Sequence, residues 1–158
     1  MSKEPVLKIE NLRTYFYSKS KQAFIRSVDG VNLEIEKGET LGIVGESGSG
    51  KSVTALSVTG LISAKPGVII GKIWFKTEGV QKNLLQSLKD YVRINMNTGR
   101  IMEIKKDNVG WRKNIDRLMH KIRGREISMI FQNPKVAMNP YKFFSFADDW
   151  FVPTSEQR

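Results

Sequence analysis

Apolar and polar residues alternate through Val6-Leu7-Lys8-Ile9-Glu10-Asn11-Leu12 and again through Val31-Asn32-Leu33-Glu34-Ile35. A period of two puts every second side chain on one face, so both segments are expected as half-buried strands. A polar, Ser/Lys-rich stretch from Ser18 to Gln22 connects them, and Lys37-Gly38-Glu39 reads as a turn. Thr40-Leu41-Gly42-Ile43-Val44 is apolar almost throughout, the pattern of a central parallel strand covered on both faces. A Gly/Ser-rich run, Gly45 to Ser52, follows at once. Val53, Leu56, Gly60 and Leu61 then mark one face of a short helix that should end before Pro66-Gly67.

The second half is more varied. Lys72-Ile73-Trp74-Phe75 reads as a strand, and Leu84, Leu85, Leu88, Tyr91 and Val92 recur at helical spacing. Val92, Ile94 and Met96 alternate, Asn97-Thr98-Gly99 can turn, and Met102 and Ile104 alternate back, which predicts a small β-hairpin. Trp111, Ile115, Leu118, Met119 and Ile122 form a further helical stripe expected to lie in the core, and Ile127 to Phe131 is a second buried-strand candidate leading into Gln132-Asn133-Pro134. No repeat or low-complexity segment interrupts this order.

Composition narrows the classes. A chain of 158 residues with 40% hydrophobic and 27% charged side chains can bury a substantial core, which excludes wholesale disorder. It has no cysteine, so disulfides, thiolate metal sites and a thiol nucleophile are excluded, and His120 is its one histidine. Met1 to Pro5 lead into the first strand without a secretory apolar core, and no stretch has the length of a membrane span; the chain is expected to be soluble and intracellular. The formal charge of +10 suits nucleic acid, anionic headgroups or phosphorylated ligands. It is concentrated between Arg100 and Arg125, where nine Lys or Arg face three Asp or Glu. That cluster reads either as a solvated helix face or as a contact for nucleic acid or another anionic partner.

Gly45-Glu46-Ser47-Gly48-Ser49-Gly50-Lys51-Ser52 fits G-x-x-x-x-G-K-[ST] between a predicted strand and a predicted helix. Each residue type has a mechanical reason. The glycines let backbone N–H groups converge on a phosphate, and the helix N-terminus adds a positive dipole end. Lys51 can reach the β- and γ-phosphates, and the Ser52 hydroxyl can ligate Mg²⁺.

Leu41 to Ser52 resembles the Walker A segment of the ABC transporter ATPases, and Ile122-Arg123-Gly124-Arg125-Glu126-Ile127-Ser128-Met129-Ile130-Phe131-Gln132-Asn133-Pro134 resembles their Q-loop region. The joint wording is most similar to the ATP-binding subunits of oligopeptide and dipeptide importers, as is Met138-Asn139-Pro140. The resemblance spans about residues 6–75 and 120–140. It implies an α/β fold, a P-loop NTPase-type ABC nucleotide-binding domain represented by its amino-terminal half with an antiparallel β portion. Residues 1–140 would form this partial domain, about 76–120 an insertion, and 141–158 a divergent tail.

The same resemblance implies ATP and Mg²⁺ as cofactors. Gly45, Ser47, Gly48, Ser49, Gly50, Lys51, Ser52 and Val53 would hold the nucleotide, Phe16 would stack on adenine with Tyr15 and Tyr17 as neighbouring alternatives, and Ser52 and Gln132 would serve the metal. It implies an ATPase that couples ATP binding and hydrolysis to peptide import, with transmembrane permease subunits and a second ATPase subunit as partners, at the cytoplasmic face of the membrane. No Leu-Ser-Gly-Gly-Gln signature and no switch histidine after Gln132 occur, and the nearest imitation of a Walker B end is Asp148-Asp149 after Phe143-Phe144-Ser145-Phe146-Ala147. No catalytic residue is therefore assigned. A truncated domain is expected to bind ATP without efficient turnover, and its bare sheet edges invite self-association. Residue chemistry alone leaves a basic P-loop protein acting on nucleic acid as the alternative, while a GTPase would lack its Asn-Lys-x-Asp.

Overall fold

The computed structural model describes residues 5–62, 66–98 and 100–131. Two long strands, β1 (Leu7–Ser18) and β2 (Ala23–Ile35), form an antiparallel hairpin, and β3 (Val68–Thr77) and β4 (Val80–Asn83) extend it to a four-stranded sheet in the order β2-β1-β3-β4. Both strands run further than the alternating segments foretell, meeting at the polar connection 19–22. There the Ser18 hydroxyl accepts from the Lys21 N–H at 3.3 Å and lies 3.0 Å from that of Ser20. The register of β1 and β2 slips between Thr14 and Tyr15, so that Ser27 of β2 bulges out of the ladder.

Helix α1 (Lys51–Val58) follows the Gly/Ser run and ends in a Schellman cap. The Gly60 N–H donates to the Ser57 carbonyl at 3.2 Å and the Leu61 N–H to that of Leu56 at 2.9 Å. Gly60, expected on the helix face, instead lies beyond the helix end at φ +65°, a conformation that suits glycine.

The stripe at Leu84 to Val92 is buried as expected but is not an α-helix. It makes a turn and then a 3₁₀ helix over Gln86–Tyr91. Leu85, Leu88 and Tyr91 are three residues apart, the period of a 3₁₀ turn, and Asn83 Oδ1 fixes the entry by accepting from Leu85 N–H at 3.0 Å. The predicted hairpin is present as β5 (Val92–Asn97) and β6 (Arg100–Lys106). Asp107 then caps α2 (Asn108–His120), its carboxylate accepting from the N–H groups of Val109 and Gly110 at 3.1 and 3.0 Å.

One core joins these parts. Ile9, Leu12, Ile69, Ile73 and Phe75 of the sheet pack with Leu85 and Leu88 and with Trp111, Ile115, Met119 and Ile122 of the α2 stripe. Two expectations fail. Thr40–Val44 and Ile127–Phe131 form no strand; Leu41, Ile43, Val44, Ile130 and Phe131 face solvent, with Val44 97% and Ile130 96% exposed, while Ile127 is half-buried against the core. A parallel strand is held by ladder bonds to neighbours on its edges, and the described residues supply none for Thr40–Val44 and only a single parallel bridge, Arg123 to Ile127, for the other segment. Among the described residues no helix is long and apolar enough to cross a membrane.

Candidate functional site

Residues Gly45–Ser52 form a turn-rich loop running into α1. Gly48 and Gly50 have φ of +82° and +93°, left-handed values that a side chain would strain. Gly50 is also sterically fixed: a Cβ there would stand 2.5 Å from the carbonyl oxygen of Ser27, the bulged residue of β2. The bulge and the glycine together seat the start of α1 on the sheet. From its other side, the Ser57 hydroxyl of α1 meets the buried Thr14 hydroxyl of β1 at 2.8 Å.

The helix has no acidic residue in its first turn and no side-chain cap. Its first helical backbone bond runs from Thr54 N–H to Gly50 O at 2.8 Å, so the N–H groups ahead of it have no carbonyl one turn earlier to bond. Lys51 folds back over the loop. Its ammonium donates to the carbonyls of Gly45 and Glu46 at 2.7 and 2.6 Å and to the Ser49 hydroxyl at 3.1 Å, which uses all three of its protons. An anion entering the loop can replace one of these neutral acceptors and add ion-pair attraction to a bond that the ammonium already makes charge-assisted.

Ser52 is exposed in the first turn of α1. A hydroxyl there suits Mg²⁺, which takes oxygen ligands and is typically bound through one or two protein groups together with phosphate oxygens and water. The second expected metal contact, Gln132, lies outside the described residues, as do Met138-Asn139-Pro140, Asp148 and Asp149. Of the three aromatic candidates on β1, Tyr15 is 1% exposed, and Tyr17 makes an edge contact to Phe24 with ring centroids 5.2 Å apart. Phe16 is half-buried and, by strand alternation, lies on the same face as Thr14, the face that meets α1.

Part of the basic cluster from Arg100 to Arg125 is engaged within the protein. Arg123 bonds the carbonyls of Thr59 and Gly60, Lys106 those of Pro66 and Gly67, and Arg112 pairs with Asp116 at 3.7 Å. Burial pushes the Lys106 ammonium down to about 8. Sequence reasoning missed Thr14, Ser57, Arg123 and Lys106 as supports of the loop and its helix. Gly60, placed on the helix face by its spacing, is the residue whose glycine identity was the overlooked signal for the helix end.

The family model of the ABC transporter matches residues 28–143, a stretch that contains the whole loop, α1 and the segment after α2. The chain belongs to the ABC transporter family. Its mixed strands and helices are those of a partial P-loop ABC nucleotide-binding domain. It is similar to the oligopeptide transport ATP-binding protein AppD of Bacillus subtilis, 38% identical over 135 residues that cover 85% of this chain and 31% of AppD. It is also similar to the dipeptide transport ATP-binding protein DppD of the same organism, 38% identical with 87% and 31% covered. A putative peptide import ATP-binding protein of Brucella abortus is 34% identical, with 89% and 33% covered. The chain thus spans about a third of the length of the curated relatives it matches. The nucleic-acid alternative is not favoured, since these relatives are transport subunits and several of the clustered cations are spent on internal contacts.

Proposed function

We propose that this chain is the nucleotide-binding part of an ABC importer of oligopeptides or dipeptides, holding ATP with Mg²⁺ and serving to couple ATP binding and hydrolysis to transport. The observation that carries the reading is the loop itself. A glycine-built turn seated on the β2 bulge delivers Lys51 and the uncapped start of α1 to one place, with no protein carboxylate in the helix's first turn to compete with a phosphate. The names of the similar proteins support peptide as the cargo.

In this reading backbone N–H groups from Gly45, Ser47, Gly48, Ser49, Gly50 and Val53 face the phosphates, and Lys51 exchanges a loop carbonyl for a phosphate oxygen. Ser52, with Gln132, would hold the Mg²⁺, which neutralises phosphate charge when bound. Phe16 supplies the stacking face for the base. Residues 1–140 make up the partial domain, 76–120 its insertion and 141–158 the divergent tail. The partners are transmembrane permease subunits and a second ATPase subunit at the cytoplasmic face of the membrane, and isolated copies self-associate through their exposed strand segments.

A polypeptide of these 158 residues contains no Leu-Ser-Gly-Gly-Gln, so phosphate release from it should stay at background. Calorimetric titration with MgATP tests the proposal: a saturable single-site isotherm is expected, and a flat titration of folded protein overturns it.

A further inference from the structure

The end of α1 opposite the nucleotide loop is held by side chains that the nucleotide reading does not use. Arg123, which follows α2, spreads its guanidinium over three acceptors. Nε donates to the Thr59 carbonyl at 2.7 Å, one terminal nitrogen to the Gly60 carbonyl at 3.1 Å, and the other to Asp116 of α2 at 3.4 Å. The Schellman cap satisfies the carbonyls of Leu56 and Ser57, and Arg123 takes the next two, those of the C-cap Thr59 and of Gly60, at the negative end of the helix where a planar cation with forked donors fits.

The approach is also steric. A Cβ on Gly60 would stand 2.6 Å from Ile115 Cδ1 and 3.0 Å from the Arg123 guanidinium, so a side chain at residue 60 would push on the tips of both side chains that reach it from α2 and the segment after it. A few residues further on, Lys106 at the end of β6 donates to the carbonyls of Pro66 and Gly67 at 2.6 and 3.1 Å, with its ammonium 4.3 Å from the centre of the Trp111 ring. The connection from α1 to β3 is thereby gripped on both sides by cations flanking α2. Three of the contacts, Asp116, Ile115 and Lys106, lie in the 76–120 insertion.

We propose that Arg123 is a positioning residue for the nucleotide loop, and that through it and Asp116 the inserted α2 sets how firmly α1 presents Lys51 and Ser52. The inference rests on the reading of Gly45–Ser52 as the nucleotide site. Helix α1 has only eight residues, bonded end to end, so a loosened C-terminal turn is felt at its first turn. The sheet holds the start of the helix at Gly50 and its last turn through the Thr14–Ser57 contact, and Arg123 holds the carbonyls of Thr59 and Gly60 just beyond that turn.

The test compares wild type, Arg123→Ala, Arg123→Lys and, as a stability control in the 3₁₀ turn, Leu88→Ala, all titrated with MgATP under conditions where each is folded. Arg123→Ala should weaken binding by about 2- to 30-fold, the range of coupling through a packed network. Amide hydrogen exchange over residues 51–58 should rise in parallel. Arg123→Lys keeps the charge and should recover part of the loss, while Leu88→Ala should lower the unfolding midpoint and leave affinity and α1 exchange near wild type. Equal affinities for Arg123→Ala and a nucleotide-binding wild type would overturn the inference alone, as would equal weakening by Arg123→Ala and Leu88→Ala at matched midpoints. A wild type that binds no nucleotide would overturn the site reading and this inference with it.

Discussion

Phe16 separates what a phosphate loop does from what it cannot do, since the loop is indifferent to the base and any preference must come from a ring. Tyr15 is sealed in and Tyr17 already touches Phe24, which leaves Phe16 on the face of β1 nearest α1. Stacking on a π-face accepts any purine, so Phe16→Ala should weaken ATP and GTP alike, by about 1 to 3 kcal/mol, while Tyr17→Ala changes neither by as much. Competition titrations with the two nucleotides check this, and an unchanged Phe16→Ala affinity would remove the ring from the site. Lys106 makes a second residue-scale prediction. Its native pKa of about 8 lies below the ordinary 10.5, so between those values the unfolded chain binds more protons than the native one. This group's contribution to stability therefore rises with pH across the window from about 8 to 10.5 and is lost as pH falls back through 8. Denaturant midpoints followed over that window should show a rising component in wild type that is missing from Lys106→Met; identical pH profiles would contradict it.

At the scale of elements, legibility followed periodicity and its partners. The β1–β2 pair, the β5–β6 hairpin and α2 were readable because their patterns are satisfied locally: alternation pairs with adjacent alternation, and the α2 stripe finds a sheet face to cover. The 3₁₀ turn was misread because Leu85, Leu88 and Tyr91 fit spacings of three that a helix also allows, and the side chain of Asn83, which sets the turn, leaves no trace in hydrophobic pattern. Thr40–Val44 and Ile127–Phe131 show the opposite failure. An apolar run reports a wish to be buried, but whether it becomes a strand depends on an edge contributed from elsewhere in the chain or from another chain. Asp107 shows how a match in letters can serve a purely structural role. Asp107-Asn108-Val109-Gly110 matches a nucleotide-switch pattern in letters, yet its carboxylate caps α2. Asp107→Ala should cost about 0.5 to 2 kcal/mol, seen as a lowered unfolding midpoint, whereas Asp107→Ser or Asn, which also cap, should recover most of it.

For the whole molecule, the loop Gly45–Ser52 was legible in full as a motif because phosphate binding demands fixed residue types at fixed spacing, while its supports were not. Ser27, Thr14 and Arg123 act on the loop and helix from other elements, Thr14 through Ser57 of α1, and no spacing rule links them to Gly45–Ser52. Family membership rests on the match over residues 28–143, and the partial coverage of longer relatives leaves activity and cargo to experiment. What the described part of the chain contributes is a seated helix start, a lysine gathered into the loop and a sheet behind them. The central claim, that this assembly holds a nucleotide by its phosphates, is tested most directly by calorimetric titration of wild type and Lys51→Ala with MgATP at equal folded concentration. The account predicts a saturable isotherm for wild type and loss of most of the affinity in Lys51→Ala, with the fold retained by circular dichroism; equal ATP affinity in the two proteins would contradict it.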